Sequence, residues 1–148
     1  MRARSLIVVL AVALSACALA APRDPVVASP DALQLAGTQW RFVELDGHVV
    51  PPKVNATLRF ESNGHVSGHA GCNGYGGPWL ASNGALRFGG MISTKMACLQ
   101  PSGAMQTEQG VFAALRDTAR ARMQGHELVL LDARGAALAT LQAQAGSQ

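Results

Sequence analysis

Four Asp-Gly or Asn-Gly pairs divide the middle of this 148-residue chain into short segments. They are Asp46-Gly47, Asn63-Gly64, Asn73-Gly74 and Asn83-Gly84. Asp, Asn and Gly tolerate positive φ, so each pair suits the tight turn of a two-stranded hairpin. The pairs therefore predict short antiparallel strands joined by tight turns.

The segments between these turns alternate between apolar and polar residues. In "NATLRFES", Ala56, Leu58 and Phe60 face one way, and the polar residues between them face the other. "ALRF" repeats the pattern with Leu86 and Phe88, and "TQWRFVEL" carries Trp40 two residues before Phe42. A period of two is typical of half-buried antiparallel strands.

One later segment follows the helical period. "PSGAMQTEQGVFAALRDTARARM" places Met105, Val111, Phe112, Leu115 and Ala119 near helical spacing, although Gly110 weakens the middle. The pattern predicts one helix from about Gly103 to Arg116, followed by two strands around a turn at residues 133–135. The predicted fold is α+β: a mostly antiparallel sheet, curved or closed into a partial barrel, with one helix packed on it.

The N-terminus resembles an export signal. Arg2 and Arg4 precede the apolar run Leu6–Leu14, which is too short for a stable membrane anchor. "LSAC" has the form of a lipobox, with Cys17 as the lipid acceptor, while "ALA" at 18–20 offers an ordinary signal-peptidase site instead. We expect a signal peptide over 1–16, a flexible tether over 17–34, a folded domain over 35–142 and a disordered tail over 143–148.

Removal of residues 1–16 changes the charge balance. The formal charge falls from +3 to +1, because two of the twelve basic residues are lost while all nine acidic residues remain. A nearly neutral chain lacks the basic patch that nucleic-acid binding requires. The chain has no second long apolar segment, so nothing after the leader is expected to span a membrane.

The glycine-rich stretch "HAGCNGYGG" at 69–77 has three interpretations. A phosphate loop would need Lys followed by Ser or Thr, whereas Tyr75, Pro78 and Trp79 follow here. A metal site would need His65 and His69 together, but four strand residues separate them by roughly 13 Å. In an oxidising compartment, Cys72 and Cys98 are instead expected to form a disulfide, although two buried thiols remain the alternative.

Enzymatic signatures are weak. Ser93, His65 or His69, and Asp132 can be assembled into a triad on paper, but no GxSxG elbow is present. A thiol enzyme would need a free, activated cysteine. We expect no catalytic residue, no cofactor and no metal.

Two hypotheses concern binding. Tyr75, Trp79 and Lys95 lie in or near the glycine-rich corner and the "STKMAC" segment, which we expect to be a strand. They form a candidate partner surface, unless Tyr75 and Trp79 pack on the disulfide. The larger apolar residues of the strands predict either an ordinary core or a cavity for an apolar ligand; they are Trp40, Phe42, Leu58, Phe60, Trp79, Leu86 and Phe88.

Several motifs in order resemble a known family: "GTQW", "ATLRF", "GHAGCNGYGG", "STKMAC", the "EQGVFAAL" helix and "LVLLDARGAALATL". Over Leu35 to Leu141 the chain is similar to the META domain, whose family includes the HslJ heat-shock proteins. The resemblance implies a small β-rich domain with one helix, similar to the cracked barrels of secretin pilot lipoproteins. It also implies a disulfide between Cys72 and Cys98, exported proteins linked to envelope stress and drug tolerance, and no established enzymatic activity.

Together these features predict a non-catalytic lipoprotein of the bacterial envelope. We expect a lipid anchor at Cys17 to hold it on the outer membrane facing the periplasm, because Ala18 is not the aspartate that retains many lipoproteins at the inner membrane. A soluble periplasmic or secreted form is the alternative. The expected partner is an envelope protein of unknown identity; the alternatives are an apolar ligand such as a lipid, or a secretin-pilot-like chaperone role.

Overall fold

The computed structural model describes residues 33–145, which form ten strands and one helix. The strands are β1 Gln39–Leu45, β2 His48–Val49, β3 Asn55–Phe60, β4 His65–Gly71, β5 Gly74–Ser82, β6 Ala85–Phe88, β7 Ile92–Ser93, β8 Arg120–Gln124, β9 Glu127–Leu131 and β10 Ala137–Gln144. Helix α1 spans Ala104–Asp117, between β7 and β8.

The strands form one antiparallel sheet that closes on itself. The order is β10-β9-β8-β6-β5-β4-β3-β1-β2, and β1 also pairs with β10 from Gln39↔Gln144 to Leu45↔Ala139. The seam between β6 and β8 is weak, since Ala85↔Arg120 is its single register pair. The prediction of a mostly antiparallel, curved and partly closed sheet carrying one helix is confirmed.

The core fills the space between the sheet and the helix. Ala56, Leu58 and Phe60 are fully buried, which confirms the alternation seen in β3. Trp40, Phe42 and Leu86 belong to the same cluster, and Trp79 and Phe88 pack against it while partly buried. The residues that the sequence suggested for an apolar cavity therefore contribute to an ordinary packed core.

Helix α1 begins and ends one residue later than predicted. Its buried face packs mainly against β4, and it consists of Ala104, Thr107, Val111, Ala114 and Leu115. Gly110 permits a close approach, because a Cβ there would lie 3.1 Å from Leu45 Cδ1. The helix tolerates its interior glycine where a strand residue packs directly on it.

The four Asx-Gly pairs behave in three ways. Asp46-Gly47 and Asn83-Gly84 have positive φ at both residues, as expected for tight hairpins, and Asn63-Gly64 has positive φ at the glycine alone. A turn does join β4 to β5 beside Asn73-Gly74, but neither residue of the pair has positive φ. The chain instead turns at Gly71 (φ 96°), and the Ala70 N–H donates to the Asn73 carbonyl over 2.8 Å.

Two further sequence expectations differ from the structure. The "STKMAC" segment is expected to be a strand, but strand structure ends at Ser93. The Thr94 N–H still donates to the Gly74 carbonyl, and beyond it the Met96 N–H bonds the Asn73 side chain instead of a strand. Strand β10 continues to Gln144, two residues beyond the expected end of the domain.

The proposed signal peptide, Cys17 and most of the tether lie outside the described residues, as do 146–148 of the tail. Within 33–145, no helix has the length and apolar character that crossing a bilayer requires.

Candidate functional site

Asn73 lies at the centre of a buried polar network at the corner between β4 and β5. Its side-chain oxygen accepts bonds from the Thr94 hydroxyl and the Met96 N–H, both over 2.8 Å. Its amide nitrogen donates to the Met96 carbonyl over 3.1 Å and to Glu108 Oε2 over 2.8 Å. The Asn73 backbone N–H also donates to Glu108, so this asparagine joins the corner to helix α1 and to the segment after β7. With Asn73 only 1% exposed, its side-chain bonding capacity is used in full.

A disulfide joins the same corner to the same segment. Cys72 and Cys98 are bonded, with their Cα atoms 5.7 Å apart and a separation of 26 positions in sequence. Residues 92–100 form what we call the corner loop. This loop is held at Thr94 and Met96 by Asn73 and at Cys98 by the disulfide.

Tyr75 supplies a hydrogen bond where the β3–β4 ladder is interrupted. Register pairs exist on either side of Thr57, but none includes Thr57 itself. The Tyr75 hydroxyl donates to the Thr57 carbonyl over 2.8 Å, and the His69 N–H donates to the Thr57 hydroxyl. Burial raises the pKa of the Tyr75 phenol, which keeps it protonated as a donor.

Gly68 makes room for this arrangement. A Cβ on Gly68 would lie 2.0 Å from the Thr57 carbonyl oxygen and 3.0 Å from the Tyr75 hydroxyl. No side chain fits there without moving the backbone, so glycine is required by close approach of two strands.

The three residues chosen for a partner surface do not share one surface. Tyr75 is only 6% exposed and packs edge-on against Phe112, with ring centroids 5.7 Å apart. Trp79 is partly buried and packs edge-on against Phe60 at 5.0 Å; its Nε1 is buried with no hydrogen-bond partner among the described residues. Lys95 alone is exposed, on the corner loop. The expectation that Tyr75 would contribute to an exposed surface is therefore corrected, because its ring belongs to the core.

The corner loop exposes large apolar side chains that the sequence reasoning missed. Ile92 is 81% exposed, Met96 58% and Leu99 91%. Ile92 also borders a shallow groove of about 670 Å³, whose floor includes Gly74, Gly76 and Gly77. The sequence does indicate them, because the apolar residues of "MISTKMACLQ" do not alternate as those of a half-buried strand do. Treating this segment as a strand hid that difference.

Of the groups considered for a triad, His65 and Ser93 line the same shallow groove, whereas Asp132 lies at a turn outside that lining. His65 and His69 are exposed positions of β4, and residues 33–145 contain no group of three or more His, Cys, Asp or Glu that could hold a metal ion. The Asp132 carboxylate accepts the backbone N–H groups of Ala136 and Arg134 at a turn. These bonds, led by that from Ala136, lower the pKa of Asp132. Both sulfurs of the corner are consumed in the disulfide.

The sequence matches the family model of the META domain over residues 33–145. This chain belongs to the META domain family. Two of the motifs on which the resemblance rests coincide with the corner, since "GCN" supplies Cys72 and Asn73 and "STKMAC" supplies Thr94, Met96 and Cys98. In this META domain, the motif residues hold the corner loop in place.

Two solved structures support the same fold. The NMR structure of a protein from Burkholderia xenovorans matches with 29% identity and a TM-score of 0.62, over 76% of this chain and 85% of that one. A second NMR structure matches with 24% identity and a TM-score of 0.59, over 74% and 91%. A crystal structure of a DUF4847 family protein from Bacteroides vulgatus ATCC 8482 is more distant, at 15% identity and a TM-score of 0.49 over 78% and 96%. No curated protein sequence matches this chain.

Proposed function

We propose that this META domain protein is a non-catalytic lipoprotein of the bacterial envelope that binds another envelope protein through the corner loop. Envelope stress or drug tolerance is the proposed context, as the family resemblance implies. The absence of catalysis is part of the proposal, and it rests on the isolated carboxylates and on two cysteines committed to a disulfide.

The observation that carries the proposal is a firmly held loop with exposed apolar side chains. Ile92, Met96 and Leu99 are each more than half exposed, yet the loop is fixed by the Asn73 network and the disulfide. Ordering a loop in advance lowers the entropic cost of binding, and exposed apolar side chains supply area to bury. Lys95 adds a single cation beside them.

Photo-crosslinking in intact cells tests this surface. A photoreactive residue at Leu99 is expected to capture a discrete partner, whereas one at Ala81, an exposed position of β5, should not. Leu99→Asp combined with Met96→Asp should abolish capture by a photoreactive Ile92 without lowering the melting temperature. Equal capture from Leu99 and Ala81, or capture that survives both aspartates, would reject the corner loop as the binding surface.

Export and lipidation form a separable part of the proposal. The lipobox cysteine Cys17 lies 22 positions before Gln39, the first residue of β1, which leaves a tether between anchor and domain. Globomycin treatment should accumulate the uncleaved precursor, and Cys17→Ser should release the protein from outer-membrane fractions. Normal processing under globomycin would favour the soluble periplasmic or secreted form instead.

Binding of an apolar ligand or a secretin-pilot-like chaperone role is the second candidate. The shallow groove beside Ile92 favours it, because glycines line its floor and leave the backbone accessible to a guest. Native mass spectrometry of protein purified from membranes should then reveal a co-purified lipid. A clean ligand-free mass in repeated preparations would remove this candidate.

A further inference from the structure

A second groove, of about 790 Å³, separates helix α1 from the β1–β2 hairpin. Gln106, Gly110, Ala113 and Asp117 line it from the helix, which places its floor along small residues. Leu45, Asp46, His48, Val49 and Val50 line it from the hairpin. It shares no lining residue with the corner loop.

Thr107 also lines the groove from helix α1 and is only 5% exposed. Its amide signal should therefore respond to an occupant of the groove.

The edge of β2 offers backbone groups beside the groove. Leu45 pairs with His48 across the hairpin turn, and the Val50 N–H donates to the Val43 carbonyl over 2.9 Å. Bonded and non-bonded pairs alternate in an antiparallel ladder, so the Val49 N–H and C=O point away from β1. Val49 is also 77% exposed. An extended chain could pair with this edge as an added strand.

The charges around the groove select for a basic guest. Asp46 and Asp117 line it, and no Lys or Arg does. Asp117 already bonds Arg116, whereas the Asp46 carboxylate forms no ion pair within the described part of the chain. A lysine or arginine of the guest would therefore find an acceptor at Asp46.

We propose that this groove binds an extended segment of another polypeptide, apolar in character and carrying a basic side chain. The segment pairs with the Val49 backbone, its apolar side chains cover Ala113 and Leu138, and its cation lies against Asp46. The site is distinct from the corner loop and would operate whether or not that loop binds a partner.

Titration of the isotope-labelled protein with a defined peptide, followed by NMR, tests the proposal. The probe is a capped seven-residue peptide in which valine alternates with lysine, and the matched probe carries glutamate in place of lysine. The lysine peptide is expected to shift the amide signals of Val49, Thr107 and Gly110 and to slow hydrogen exchange at the Val49 N–H. The glutamate peptide should produce no such shifts.

Three variants separate the contributions of the groove and of the Asp46 charge to peptide binding. Ala113→Phe fills the groove and should weaken binding about tenfold or more, a change equivalent to about 1.4 kcal/mol. Met105→Phe, on the exposed helix surface outside the groove, is the matched control and should bind as the parent does. Asp46→Asn keeps a residue that tolerates φ 47° and should weaken binding roughly two- to fivefold, since exposed ion pairs contribute little.

Three outcomes would overturn the proposal. No shifts at Val49 and Thr107, or shifts confined to the corner loop, would show that the groove does not take such a segment. Equal binding of the two peptides would remove the basic selectivity. The same shifts produced by butylamine alone, without protection of the Val49 N–H, would show a site for small amines rather than for a polypeptide.

Discussion

Asn73 provides most of the polar order at the corner. One side chain satisfies the Thr94 hydroxyl and both backbone groups of Met96, and it reaches Glu108 on the helix. A loop without regular structure must satisfy its backbone groups in some other way, and here a single buried amide replaces a strand partner.

Asn73→Ala should lower the free energy of unfolding by about 3 kcal/mol, because the Thr94 hydroxyl, both backbone groups of Met96 and Glu108 lose a buried partner at once. Urea unfolding followed by tryptophan fluorescence measures the change. Asn55→Ala, at an exposed position of β3, is the control and should change stability by less than about 0.5 kcal/mol. A loss at position 73 no larger than at position 55 would contradict a central role for the network.

Gly68→Ala should destabilise the fold by more than 2 kcal/mol, roughly the range of overpacked cores, because the new Cβ overlaps the Thr57 carbonyl. Gly90→Ala is the matched control, since a Cβ there meets nothing within 4 Å. Thermal unfolding of the two variants should separate them clearly. Equal melting temperatures would show that β3 and β4 can move apart at little cost.

At the scale of elements, the disulfide and the Asn73 network hold one loop by two independent means. The disulfide acts largely on the unfolded chain, whereas the network acts on the folded corner. The two contributions are therefore expected to be separable by mutation.

The double variant Cys72→Ala/Cys98→Ala should lose roughly 3 kcal/mol of stability, as expected for a closed loop of this length. The Met96 N–H should stay protected from hydrogen exchange, because its bond to Asn73 remains. Reduction of the parent protein should give the same result. Free exchange at Met96 in the double variant would show that the disulfide, not Asn73, orders the corner loop.

Sequence patterns predicted the elements whose side chains repeat regularly. The alternation of Ala56, Leu58 and Phe60 located β3, and helical spacing placed α1 within one residue at each end. The pattern failed at Asn73, because its amide is used by distant residues rather than by a local turn. The corner loop was missed for the same reason, since partners more than 20 residues away hold it. The second groove depends on how the hairpin and the helix meet, which no local pattern records.

At the scale of the whole molecule, the carboxylates of Asp117 and Asp132 contribute a modest dependence on pH. The Arg116 guanidinium lowers the pKa of Asp117, and the Ala136 N–H leads the bonds that lower the pKa of Asp132. A carboxylate whose pKa is lower in the folded protein than in the unfolded chain stabilises the fold at pH values above its unfolded pKa. This stabilisation is lost as the pH falls through its folded pKa.

Melting temperature should therefore decline as pH falls below the ordinary carboxyl value of 3.8. Asp132→Asn should lower the melting temperature at pH 7 and flatten the acidic limb, so that the variant and parent curves converge at low pH. Ser62→Ala, an exposed control, should follow the parent throughout. Parallel curves for Asp132→Asn and the parent would contradict a contribution from that carboxylate.

The pairing of β1 with β10 also sets a condition on when this protein can finish folding. Gln39 of β1 pairs with Gln144 of β10, which lies 105 positions later in the chain, so this pairing cannot form before β10 is in place. A chain folded only as far as Leu131 already contains the helix and the first nine of the described strands, but β1 still has no neighbour on the side where β10 will pair. Pairing between segments so distant in sequence is slow. Until it occurs, the partly folded chain exposes an unpaired edge of β1, with which a strand of another chain could pair.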